Sequence, residues 1–224
     1  MHQRAGDTGC LIPHLQELEK YGRVLPKGVI ADSGYGSEEN YAFLENNNVE
    51  AFIKYSTFDK EQTRAWKNQV GRIENMEYDE DLDEWICAAG KRLIFQYENK
   101  KKTENGYISH KRNYRCVDCK GCPFQESCAK GKETKKIQVS MQNQEQRKEI
   151  RERLSTEHGD KLYRKRKSDV ESVYGQIKHN REFRRFYLRG LSKTKVEWGL
   201  ICIAHNLCKW ASKINQNEEN YQVG

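Results

Sequence analysis

Residues 28–55 read GVIADSGYGSEENYAFLENNNVEAFIKY, and their pattern decides the fold class. Val29-Ile30-Ala31 is a short apolar run between the Pro26-Lys27-Gly28 turn and Asp32, the pattern of a buried strand. Ser37 has an N-capping side chain, and Glu38, Glu39 and Asn40 fill a first helical turn, where the helix dipole favours acidic groups. Tyr41 and Leu44 continue that helix, and Asn46-Asn47-Asn48 stops it. Residues 49–55 (VEAFIKY) alternate and read as a second strand. A strand–helix–strand unit of this kind belongs to the α/β class.

Outward from this unit the character changes twice. Upstream, Leu11, Leu15 and Leu18 recur at helical spacing, so 11–22 predicts a short helix ending at Gly22. Downstream, 60–80 is strongly charged without a clear period, and 84–95 (EWICAAGKRLIF) predicts a hairpin around Ala89-Gly90. The polar segment 97–115 leads into a cysteine cluster. From Gln144 the pattern is helical, with a charged helix over 144–154 and a second that Ser168 can cap, running through Val170, Val173, Tyr174 and Ile177. After Gly190-Leu191-Ser192 a last helix carries Val196, Leu200, Ile203, Leu207 and Trp210 at i, i+4, i+7 spacing, a stripe expected to be core. The expected organisation is an α/β core region at 1–56, a β-rich insertion with the cysteines at 57–149, a helical part of the core at 150–214, and a flexible polar tail at 215–224.

The charge distribution favours a polyanionic partner. The chain carries 40 Lys and Arg against 33 Asp and Glu, a net charge of +7. Residues 161–195 hold twelve Lys or Arg against Asp169, Glu171 and Glu182, so this stretch contributes +9 and the rest is slightly acidic. A concentrated basic segment is the footprint of phosphate binding, although a solvated helix face gives the same composition. The start has no apolar signal core, and Leu200 to Ala204 is too short to span a bilayer. The expectation is a cytoplasmic protein with no membrane partner, in which cysteines are thiols or metal ligands.

Three constellations could carry chemistry. Asp32 ends a buried strand before Gly34 and Gly36, where α/β folds place their sites, although a turn-forming Asp fits the same position. Lys167, Glu171, Gly175 and Lys178 are spaced i, i+4, i+8, i+11, so on an α-helix they share a face and set a carboxylate between two cations. An ordinary salt-bridged surface helix has that spacing too. Cys116, Cys119, Cys122 and Cys128 gather four thiols, enough for a tetrahedral structural Zn²⁺; an iron–sulfur cluster and metal-free thiols are the alternatives. Cys87 is close enough in the hairpin to join, whereas Cys10, Cys202 and Cys208 read as buried hydrophobes. His205-Asn206 reads as a satisfied polar pair, and Tyr174, Phe183, Phe186 and Tyr187 could stack on bases or pack in a core.

The segments VIADSGYGSEEN (residues 29–40) and RKSDVESVYGQIKHN (residues 166–180) resemble the second-Asp region and the Glu helix of DDE transposases from bacterial insertion sequences, in the branch with a cysteine-rich insertion between them. The resemblance runs from about Gly6-Asp7-Thr8 to Trp210. Lys178 stands seven residues after the Glu, as in the family. Lys167 replaces the usual Arg four before it, and Arg164 stands where a Tyr is expected, with Tyr163 adjacent. The resemblance implies an RNase H-like fold in which three carboxylates hold two Mg²⁺ ions about 4 Å apart. It implies that Asp32 is the second catalytic Asp and Glu171 the catalytic Glu. It also implies DNA cleavage and strand transfer at transposon ends, with Lys167 and Lys178 contacting that DNA, and the basic segment adds Arg166, Arg181, Arg184 and Arg185. Transposon-end and target DNA are the expected partners, with self-association a further one.

Asp7 is read as a loop residue with no strand around it, so the chain is expected to begin after the strands bearing the first Asp. The RNase H-like fold would then be incomplete, and the remaining two carboxylates are expected to hold metal poorly and to cut DNA slowly or not at all. A non-catalytic, zinc-stabilised DNA-binding module is the competing reading.

Overall fold

A computed structural model describes the backbone of residues 6–222 and the side chains through residue 214. It divides into two compact units, one formed by Gly6–Tyr163 and the other containing the chain from Arg164 onward.

The first unit opens with a 3₁₀ turn, Thr8–Cys10, that runs into helix α1 (Leu11–Lys20). Its predicted stop at Gly22 is a left-handed cap: Gly22 has φ +70°, and the Arg23 N–H reaches back to the Leu18 carbonyl (3.1 Å). Strand β1 (Gly28–Ala31) leads through a second 3₁₀ turn, Ser33–Tyr35, to α2 (Glu38–Asn46), and β2 (Glu50–Ile53) returns parallel to β1, with Val29 opposite Ala51 and Ala31 opposite Ile53. The strand–helix–strand order therefore stands, with Ser37 capping α2 by accepting the Asn40 N–H (3.2 Å), but β1 is half-buried with Ile30 exposed rather than the buried strand expected. The two strands form a sheet of their own. Leu15, Tyr41, Leu44, Phe52 and Ile53 make its core.

Residues 58–139 hold two single-turn helices, α3 (Phe58–Glu61) and α4 (Arg64–Lys67), followed by β3 (Glu77–Asp79), β4 (Glu84–Ile86), β5 (Arg92–Lys102) and β6 (Ile108–Cys116). A short helix α5 (Gln125–Ala129) then precedes β7 (Lys136–Val139). The five strands form an antiparallel meander in chain order, β3-β4-β5-β6-β7, so the expected β-rich region and its 84–95 hairpin are both present. Its own small core centres on Trp85, Leu93 and Tyr114, the last two fully buried. Helix α6 (Met141–Ser155) then buries Ile150 and Leu154 against the β1–β2 core. It is one uninterrupted helix, so no break separates strand-rich from helical sequence at 149–150. Helix α7 (Glu157–Arg166) ends the unit's sequence.

In the second unit the helix does not start at Ser168. That hydroxyl donates to the Lys165 carbonyl (2.9 Å) inside a continuous helical run, so it caps nothing. Residues Lys167–Glu171 form a π-turn, α8 (Ser172–Gly175) restores α geometry, and Gln176–Asn180 is a second π-turn. Helix α9 (Leu191–Gln222) closes the chain. The stripe expected to be core is exposed instead: Val196, Leu200, Ile203, Leu207 and Trp210 all show more than half their surface. Helix α9 packs through another face, where Trp198 stacks with Tyr174, Phe183 and Phe186 and where His205 is buried. The tail expected at 215–224 lies outside the residues whose side chains are described. Among the described residues, no helix is long and apolar enough to cross a membrane.

Candidate functional site

Asp32 leaves the C-terminal end of β1 and caps the 3₁₀ turn that follows, its Oδ1 accepting the Ser33 N–H at 2.5 Å and the Ser33 hydroxyl at 3.3 Å. Its side chain is exposed, the arrangement an α/β fold uses to present a carboxylate at a strand end. The turn is held from below by Gly36. A Cβ there would collide with the Lys54 carbonyl, the Tyr55 Cα and the Tyr41 hydroxyl, so only glycine lets the backbone pass this close to the exit of β2.

The first-turn residues of α2 do more than complement its dipole. Asn40 is fully buried, and its side-chain amide donates to the Thr8 carbonyl (2.8 Å) and the Tyr35 carbonyl (2.7 Å). Thr8 also donates its hydroxyl to the Gly34 carbonyl (3.0 Å). These bonds clamp the Asp7-Thr8 turn onto the Asp32 turn, and a Cβ on Gly34 would lie 3.5 Å from Asp7 Oδ2. Two exposed carboxylates thus sit on abutting turns.

Glu38 is also buried and accepts bonds from Ser109 (2.7 Å), Lys111 (2.8 Å) and Tyr107 (3.1 Å) on the meander. Burial alone would push its carboxyl up, but the Lys111 and Ser109 bonds outweigh burial and hold it below the usual range. Sequence reasoning missed both buried roles. A Glu and an Asn after an N-cap fit a solvent-facing turn equally well, and apart from Tyr35, five residues before Asn40, their partners lie 32 to 73 residues away.

Glu171 and Lys167 lie on the first π-turn, both exposed. Asp32 belongs to the unit Gly6–Tyr163 and Glu171 to the unit that follows, and each is placed within its own unit. The wider i→i+5 winding corrects the single-face reading of Lys167, Glu171, Gly175 and Lys178, which presupposed an α pitch throughout. Lys178, on the second π-turn, lies with its ammonium 5.6 Å from the Tyr174 ring. Gly175 has nothing within 4 Å of where a Cβ would stand, so the room beside Glu171 is open space. Arg181, Arg184 and Arg185 are exposed, whereas Arg166 is half-buried. Phe183 and Phe186 pack on Trp198, and Tyr187 remains 81% exposed, so the aromatics divide between core and surface. Glu197 fixes the loop between them by accepting the Tyr187 and Leu188 N–H groups, both at 2.9 Å.

Within this unit a cleft of about 310 Å³ is lined by Ser172, Gln176, Arg181, His205 and Lys209. His205 is buried but not a satisfied polar residue, because its Nδ1 has no hydrogen-bond partner. A cleft with one guanidinium, one ammonium and an imidazole suits an anion.

Cys116 and Cys119 are buried, and Cys122 and Cys128 are half-buried. All four line one small cavity together with Cys87. Burial, reinforced by the neighbouring Cys119, pushes the Cys116 thiol up to about 11, and burial raises Cys128 as well. Cys10 and Cys202 are half-buried, but Cys208 is exposed, which corrects its reading as a buried hydrophobe. Among the described residues, no three or more His, Cys, Asp or Glu side chains stand ready-converged on a metal ion. Asp7, Asp32 and Glu171 nevertheless offer exposed carboxylate oxygens, the donor type a hard divalent cation takes.

No curated protein and no solved structure matches the chain. A protein-family model, described as a transposase DDE domain, matches residues 86–211, which include the cysteine cluster, Glu171 and Lys178.

Proposed function

The chain belongs to the transposase DDE domain family, and from that premise we propose that it binds transposon-end DNA through residues 164–189 and presents Asp32 and Glu171 as carboxylate ligands for metal-dependent cleavage and strand transfer. A transposase-type function acting on DNA follows from membership. The finer reading assigns this chain's own residues to an RNase H-like catalytic core that the β-rich region interrupts.

The observation that carries it is the exposed basic stretch that holds Glu171: Lys167, Lys178, Arg181, Arg184 and Arg185 all face solvent within nineteen residues, against the acidic Asp169, Glu171 and Glu182. Phosphate binding needs such cations, and a carboxylate among them serves a purpose once a cation bridges it to a phosphate. Asp32 is held rigidly by its turn, as a metal ligand must be. Bound divalent metal would supply Lewis acidity to the phosphodiester and lower the pKa of an attacking water or 3′-hydroxyl. The residues of this chain orient the carboxylates, neutralise the phosphates and offer Tyr187 as a stacking face for an unpaired base.

The test has two parts. Binding of duplex DNA is measured against salt: the account expects a steep loss of affinity, with Lys178→Ala reducing the log–log slope by about 1. Nicking of end-sequence DNA is then measured with Mg²⁺ or Mn²⁺, and its abolition in Asp32→Asn and Glu171→Gln is expected. Tight, salt-dependent binding with no nicking under any divalent metal would favour the non-catalytic binding module. Absence of DNA binding at low salt would overturn both.

A further inference from the structure

The five cysteines of the meander meet around one cavity, although the sequence gathers only four of them. Cys87 follows β4, in a turn closed by its own N–H on the Lys91 carbonyl (2.9 Å) and by the Gly90 N–H on the Cys87 carbonyl (2.8 Å). Strand β5 lies between β4 and β6, with Ile86 opposite Arg92 and Leu93 opposite Cys116, and Val117 donates to the Arg92 carbonyl (3.2 Å). This register puts Cys87 and Cys116 at the same end of the sheet, flanking β5. The segment after β6 then folds over that end and delivers Cys119, Cys122 and Cys128 to it.

Without a metal, burial keeps the Cys116 and Cys128 thiols protonated; what the fold supplies is the convergence of the thiols on one cavity. The cavity is small, about 20 Å³, and all five thiols line it. The Lys135 N–H points at Cys119 Sγ (3.4 Å), the backbone-to-sulfur bond that a thiolate accepts well. The Lys135 ammonium donates to the Gly71 carbonyl (2.7 Å) and the Cys128 carbonyl (3.1 Å), and Lys91, whose ammonium pairs with Asp118 (3.6 Å), also lines the cavity. Gly71 is pressed onto this wall, since a Cβ would stand 3.0 Å from the Cys128 Cα.

We propose that Cys87, Cys116, Cys119 and Cys128 form a tetrathiolate zinc site, with Cys87 in the place that sequence spacing gives to Cys122. Zn²⁺ favours four soft ligands in a tetrahedron, and the cavity holds one such ion when the thiols rotate inward about their Cα–Cβ bonds. Four thiols release four protons as they bind it, leaving a centre of charge −2 with Lys91 and Lys135 among the residues that line the cavity. Cys87 and Cys116 are set by paired strands, Cys119 by the Lys135 amide, and Cys128 by α5, whose Cys128 N–H donates to the Phe124 carbonyl (2.8 Å). Cys87 packs against the buried cluster that contains Cys116 and Cys119, whereas Cys122, in the loop between Gly121 and Pro123, is not part of it and is the fifth thiol. The zinc ties the 117–135 segment to the sheet end and takes no part in cleavage.

The full-length chain is purified with zinc in the medium and its metal content measured, then reconstituted with Co²⁺ and its absorption recorded. One metal ion per chain and the intense thiolate charge-transfer bands of a tetrahedral S₄ site are expected. Cys122→Ser should leave both unchanged, whereas Cys87→Ser should lower metal affinity at least tenfold and weaken the bands. Where Cys87→Ser does not fold, alkylation of the native zinc-loaded chain decides: Cys122 and the exposed Cys208 should label readily, and Cys87 only after chelation. No metal uptake by the unmodified chain, or Cys87 labelling as fast as Cys208 while Cys122 is protected, would overturn the assignment.

Discussion

The two regions that carry the proposed carboxylates are built in opposite ways. The Asp32 turn is braced from every side: Gly36 is wedged against the β2 exit, Asn40 ties two turns together, and Glu38 pins α2 to the meander. The Glu171 segment winds through two π-turns, keeps its charged side chains in solvent and leaves open space at Gly175. Where residues contact their own chain this closely, substitution tests the fold. Where they face solvent, substitution tests the partner. The same residue type, glycine, should therefore behave differently in the two motifs.

The largest effect is expected at Gly36. Gly36→Ala places a methyl group against fixed backbone and should cost about 3 kcal/mol of stability, seen as a lowered urea midpoint. Its counterpart Gly175→Ala meets nothing and lies in a helix, so it should raise stability by up to about 1 kcal/mol. If that variant is more stable yet binds DNA more weakly, the space beside Glu171 is used by the ligand. Unchanged binding would assign Gly175 no role.

Next comes Glu38. Replacing it by Gln removes the acceptor charge from Lys111 and should cost about 2 kcal/mol. The pH dependence has a definite sign. Folding depresses this carboxyl, so its contribution is complete above the unfolded value near 4.3 and fades as pH falls through the lower folded value. Acid titration of stability in the native chain and in Glu38→Gln should therefore converge as pH falls through the lowered folded value. Parallel curves would remove Glu38 from the brace.

The smallest effect on stability is expected at Lys178. It is exposed and rests on Tyr174, so Lys178→Ala should leave the unfolding midpoint nearly unchanged while weakening DNA binding several-fold at low salt. Equal affinity would withdraw its phosphate role.

How much of this was legible in the sequence follows the range of the interactions. The Ser37 cap, the Gly22 stop and the two short strands are local patterns, and each sits within a residue or two of its expected place. The Asn40 clamp and the Glu38 brace depend on partners distant in sequence, and no periodicity encodes them. The π-turns escaped because a helical stripe is read at one fixed pitch, and Ser168 was misplaced as a cap because Ser also bonds back to a carbonyl within a helix. The apolar stripe of α9 has the periodicity of a core face, and burial is a tertiary property that periodicity cannot supply. It is exposed because the helix packs through Trp198 and His205. Among the cysteines, spacing located four thiols and the hairpin offered Cys87 as a fifth, and the strand register brings it to the same cavity.

The central claim is that Asp32 and Glu171 serve one metal-dependent function. Mn²⁺ binding to the full-length chain in the presence of duplex DNA, followed by electron paramagnetic resonance, tests it most directly. The account predicts that Asp32→Asn and Glu171→Gln each weaken Mn²⁺ binding at least tenfold, and the double variant no less. Mn²⁺ affinity in the double variant equal to that of the native chain would contradict it.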